Sequence, residues 1–119
     1  MRIKNKDRIR DWLRDYCIAA QRRRVKTVIH EAMVEQDEGR LYTWRFRQAT
    51  NKLRTLLMNE AERVRFRDLA LFNAYREEAM RLGTIHSGPP GVLGRANDYR
   101  MWDYPQVRSE EETRIAHNR

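Results

Sequence analysis

Apolar residues return every three or four positions along the first two-thirds of this 119-residue chain. They fall first at Ile9, Trp12, Leu13, Tyr16 and Ala20, then at Val25, Val28, Ile29, Ala32 and Met33. That spacing predicts a helix over about Lys6 to Glu38. Asn5 is its candidate N-cap, Asp7 puts a negative charge in the first turn, and Gly39 is the expected left-handed C-cap residue. A second run joins Phe46, Ala49, Leu53, Leu56, Leu57, Ala61, Val64, Leu71, Tyr75, Ala79 and Leu82. It predicts a helix from Thr43, the cap, to Leu82, with Gly83 as the stop. Unbroken, it would be a rod of roughly 60 Å. The stripe thins over Arg63 to Asp68, RVRFRD, and leaves continuity there open. The connection DEGRLY is short enough to fold the two helices back antiparallel.

From Gly83 the pattern changes. The stretch GTIHSGPPGVLGRANDYRMWDYPQ holds four of the chain's five glycines and all three prolines. That composition opposes a long helix and predicts an extended arm over 84–119. The arm is not linker-like, because Tyr99, Met101, Trp102 and Tyr104 are spaced along it. Extended segments with spaced aromatics lie in grooves, and these four are the candidate partner-binding residues. Trp102 suits insertion into a partner pocket. Ser109 followed by Glu112 forms a capping box and predicts a short helix over 109–118. The expected fold is therefore all-α: a long antiparallel helical hairpin over 1–83, an extended C-terminal arm, and a short terminal helix.

Charge adds a direction to this picture. The chain carries +8 net, 35% of its residues are charged, and its mean hydropathy is −0.93. Residues 1–30 carry +7 and residues 40–67 carry +6, with −4 between them over 31–39. Arg22, Arg23, Arg24 and Lys26 form one tight cluster, and folding about Gly39 sets Arg24 level with Arg54. Arg47, Lys52 and Arg54 then join the cluster. Folding concentrates positive charge instead of pairing it, and a phosphate backbone would reverse the sign of that repulsion. These seven cations are the candidate nucleic-acid-binding residues. The plain alternative is a solvated surface, since three consecutive arginines point around most of a helical turn. The 21 Arg against 4 Lys also fit a GC-rich coding sequence. No base-reading motif is present, so shape and phosphate readout is expected.

Other chemistry is sparse. Cys17 is the only cysteine, which rules out an intrachain disulfide and points to an intracellular reducing compartment, such as cytoplasm, organelle matrix or virion. No run of 18 apolar residues spans a membrane, and MRIKNKDRIRDW lacks the apolar centre of a secretory signal. HEAMV at His30–Val34 fails the zinc-protease spacing, because Val34 stands where the second His is needed. His30 is expected to be half-buried and Cys17 packed. HSGPPG lacks a phosphate-loop spacing. No metal, cofactor or small-molecule substrate is expected, and enzyme activity is not. Trp12 and Trp44 are expected as core or interface anchors.

LYTWRF at Leu41–Phe46 resembles the Leu-Tyr-Arg signature of small mitochondrial helical accessory proteins. Thr43 stands where that signature has its Arg, so no family is assigned. The expected role is a non-catalytic structural or accessory subunit of a large assembly. Its hairpin would contact nucleic acid, RNA before DNA, and its arm would dock on a neighbouring protein subunit. The alternatives are a protein-facing subunit of a virion or respiratory-type complex, and a small helical regulator that inhibits a partner enzyme.

Overall fold

The chain is all-helical over the residues that the computed structural model describes, 2–87 and 91–102, with side chains from Trp12 onward. Helix α1 spans Arg2–Glu35, and a 3-10 turn follows over Glu38–Tyr42. Helix α2 spans Trp44–Val64, α3 spans Leu69–Gly83, and α4 spans Val92–Met101.

The first helix starts and stops earlier than its pattern suggests. Asn5 lies inside α1 and does not cap it. The left-handed residue at its end is Gln36, with φ 51°, not Gly39. The Asp37 N–H bonds to Ala32 O at 3.0 Å and the Gln36 N–H to Met33 O at 3.3 Å. These two bonds close the helix end as a Schellman motif. The Gln36 side chain adds a third bond, donating to Met33 O at 2.8 Å. Gly39 serves instead in the 3-10 turn, where its N–H meets Asp37 Oδ1 at 3.0 Å.

The long second helix is two helices. Beyond Val64 the chain turns through Arg65–Arg67, and the N–H groups of Arg67 and Asp68 both bond to Val64 O at 2.9 Å. Asp68 then caps α3 through Leu71 N–H at 3.0 Å. The cause is local. Arginines alternate with Val64 and Phe66 here, and Phe66 is 89% exposed, so no apolar face continues through the break. At the other ends the expected residues serve: Thr43 caps α2 through Phe46 N–H at 3.2 Å, and α3 runs to Gly83.

The extended arm needs correction over 92–101, which form α4. Glycine and proline crowd the residues before Val92, and only Gly94 falls inside the helix. Tyr104 and the terminal helix expected at 109–118 lie outside the described residues.

Packing follows from the apolar stripes. Helix α2 lies against both α1 and α3, while α4 packs on α1 and touches α3. Gln21 on α1 donates to Ala49 O on α2 at 3.0 Å, and Arg14 reaches Glu60 at 3.6 Å, so α1 and α2 run antiparallel. Val25, Ile29, Leu41, Phe46, Leu53, Leu57, Leu82, Ile85, Val92 and Tyr99 form one buried cluster. Residues from all four helices and the 3-10 turn enter it, so α4 belongs to the same core as α1, α2 and α3. The described body measures 50 × 34 × 23 Å.

Gln36 holds a conformation that costs a non-glycine residue about 1 kcal/mol. Gln36→Gly relieves that cost, but it frees the unfolded chain and loses the side-chain bond to Met33 O, so stability in urea unfolding should change by less than about 0.5 kcal/mol. A loss of more than about 1 kcal/mol would contradict the assigned helix end.

Candidate functional site

Two features occupy opposite sides of α1. The first is buried, where α1, α3 and α4 converge. Glu78 on α3 is fully buried. Arg22 on α1 grips it with two parallel bonds, Nε to Oε2 and Nη2 to Oε1, both 2.9 Å. Tyr99 on α4 donates its hydroxyl to Oε2 at 2.8 Å. Lys26, one turn beyond Arg22, lies 5.6 Å from the centre of the Tyr99 ring. Burial pushes the Glu78 carboxyl above the ordinary carboxylate range, while Arg22, the Tyr99 hydroxyl and Lys26 draw it back. Burial and the Glu78 charge push the Tyr99 phenol up. A second buried acid, Glu60 on α2, is held by Arg63 at 2.8 Å and by Arg14. Burial, with Asp15 and Glu60 adding to it, pushes Tyr75 up to about 12.

The second feature is an open groove of about 1300 Å³ between α1 and α2. Ala20, Gln21, Arg23, Arg24, Thr27, Val28 and Glu31 form one wall. Arg45, Gln48, Ala49, Asn51, Lys52 and Thr55 form the other, with Thr43 and Arg40 toward the turn. Arg40 is neutralised by Glu31 at 3.1 Å and Glu35 at 2.7 Å. Among the described residues, no acid pairs with Arg23, Arg24, Arg45 or Lys52. Helical geometry explains the division. Arg22 and Lys26 are four residues apart and share the face toward α3 and α4, while Arg23, Arg24 and Thr27 lie around the helix on the groove side.

The seven expected cations thus do not form one patch. Arg23, Arg24 and Lys52 line the groove. Arg22 and Lys26 serve the buried site. Arg47 lies 5.8 Å from the Tyr42 ring, and the Arg54 guanidinium lies against Gly83 on α3. Of the expected docking residues, Tyr99 needs correction: it is a core residue, with its ring buried and its hydroxyl bonded to Glu78. Met101 is 66% exposed, and Trp102 lies half-buried under the Arg81 guanidinium at 5.1 Å. Trp12 and Trp44 are exposed and so are not core anchors, and Cys17 is exposed, not packed. His30 is exposed too, and Arg100 donates to its Nδ1 at 2.9 Å.

Pattern reading passed over Glu78, although its position carries a signal. It continues the α3 stripe three residues after Tyr75 and four before Leu82, an apolar position held by an acid. Arg45 was also passed over, seven residues before Lys52 on the same side of α2. No group of three or more His, Cys, Asp or Glu among the described residues is placed to hold a metal ion. No protein-family model, curated protein or solved structure matches this chain.

Burial raises the folded-state pKa of Glu78, so folding favours its protonated form. The stabilisation from that proton is complete below the ordinary carboxylate pKa and is lost as pH rises through the raised value. The stability advantage of the wild type over Glu78→Gln, measured by urea unfolding, should therefore shrink as pH rises above the ordinary carboxylate pKa. A difference independent of pH would contradict the assignment. Tyr99→Phe removes a bond to this carboxyl and should cost about 1.5 kcal/mol at neutral pH.

Proposed function

We propose that the chain is a non-catalytic accessory subunit of a larger assembly, and that the α1/α2 groove holds a phosphate backbone, RNA before DNA. One observation carries this reading. Four cations that no acid among the described residues pairs with, Arg23, Arg24, Arg45 and Lys52, share one open groove with neutral hydrogen-bonding groups of Thr27, Gln48, Asn51 and Thr55. A lone helix pair gains nothing from such an arrangement, since the cations repel one another. Phosphates convert the repulsion into attraction, and each contact releases counterions. The buried acids supply no free base, because arginines hold both Glu78 and Glu60.

A protein-facing role is favoured at a different place. Phe66 and Leu69 stand exposed together at the α2–α3 corner, and Met101 is exposed at the end of α4. A neighbouring subunit would cover these apolar groups. With Tyr99 in the core, docking by the C-terminal segment begins at Met101.

Binding to RNA and to duplex DNA at 50 and 200 mM salt tests the groove. Four phosphate contacts give a log–log salt slope of about −2.8 for single strands and about −3.6 for duplex, so affinity should fall roughly 50- to 150-fold over that range. The triple variant Arg23→Ala/Arg24→Ala/Lys52→Ala should lose most of the binding and most of the slope while melting as the wild type does. Arg47→Ala and Arg54→Ala should bind nearly normally. No binding at low salt would overturn the reading.

A further inference from the structure

The walls of the groove continue beyond their cations. On α2, Trp44, Gln48, Asn51 and Thr55 follow at steps of four, three and four, so they share one stripe. Gln48, Asn51 and Thr55 line the groove, and Trp44 opens the stripe with 72% of its surface exposed. On α1, Tyr16 lies one turn before the groove residue Ala20 and is 60% exposed. Its ring stacks on Trp12, itself 64% exposed, with centroids 5.7 Å apart and planes inclined by 19°. The pairs Gln21–Ala49 and Arg14–Glu60 fix the register of the two helices. They set Trp44 level with the turn of α1 around Val28, about 18 Å along the axis from Tyr16. Arg23, Arg24 and Lys52 lie between these ends.

We infer that this is a track for an unpaired nucleic-acid strand, with phosphates on the cations and bases stacked on Trp44 at one end and on the Trp12–Tyr16 pair at the other. The inference rests on the phosphate reading of the groove and adds the class of ligand. In a duplex the bases stack on one another and offer no face to an exposed indole. An unpaired strand offers a face at every base, and stacking on aromatics accepts any sequence. The absence of a base-reading motif agrees with such sequence tolerance. Trp44 takes no part in the buried cluster, so the fold itself does not require an indole there.

The test titrates the full chain with an unstructured oligopyrimidine RNA and with a duplex of equal length, at low salt, following indole fluorescence. The wild type should prefer the single strand, and its fluorescence should be quenched. Trp44→Leu should weaken single-strand binding about 5- to 50-fold, consistent with the loss of one stacked base. Its salt slope and its duplex binding should stay unchanged. Tyr16→Leu should act similarly, and Trp44→Phe, which keeps a ring, should retain most of the affinity. Helical melting of each variant confirms that the fold is intact. Equal affinity for duplex and single strand, or unchanged binding by Trp44→Leu and Tyr16→Leu, would overturn this inference. The phosphate reading would still stand if the triple cation variant lost binding. Absence of binding to either nucleic acid would overturn both.

Discussion

A carboxylate with no access to water organises this molecule. Glu78 is buried on α3, and a buried charge is costly unless it is paired and hydrogen-bonded. Arg22 supplies a two-pronged grip from α1, and Tyr99 supplies a hydroxyl from α4. Three helices are thereby tied at one point, while α2, packed against both α1 and α3, completes the body. The tie also fixes the rotation of α1 about its own axis. Once Arg22 and Lys26 face inward, a helix of 3.6 residues per turn leaves Arg23, Arg24 and Thr27 on the other side. The groove's cation pattern is thus a consequence of an internal ion pair. The same arginine run serves both the architecture and the surface, one residue apart.

Much of the helical content was legible, because steps of three and four are hard to mistake over long stretches. Thr43 as a cap and Gly83 as a stop were legible for the same kind of reason: each has one local role that its chemistry suits. The break at Arg65–Arg67 was visible only as a thinning of the stripe. Whether such a gap bends a helix depends on packing on either side, and the Asp68 cap helped decide it here. Helix α4 was masked by the glycines and prolines in front of it. Average composition over 83–106 hid ten residues that form a helix, and with them the core position of Tyr99. Gln36 shows a related limit. The left-handed residue that ends α1 is Gln36, three residues before the nearest glycine, so residue type alone did not locate the helix end.

The candidate site was legible as a cluster and not as a division. Sequence proximity cannot separate Arg22 from Arg23, since both are cations on one helix. What separates them is a partner 56 residues away, and only Glu78's place on an apolar stripe hinted at it. The groove's neutral lining and its aromatic ends arise from the pairing of two helices in a particular register. The proposed contact with nucleic acid draws on that pairing: Arg23, Arg24, Arg45 and Lys52, which no acid among the described residues neutralises, are turned by the fold toward one open groove.

The division of the arginine run is tested most directly by unfolding Arg22→Gln and Arg24→Gln side by side in urea at neutral pH. Arg22→Gln leaves Glu78 buried without its cation and should cost about 3 kcal/mol. Arg24→Gln alters only the groove surface and should lie within about 0.5 kcal/mol of the wild type. Equal effects of the two substitutions would contradict the assignment of Arg22 to the interior and Arg24 to the groove.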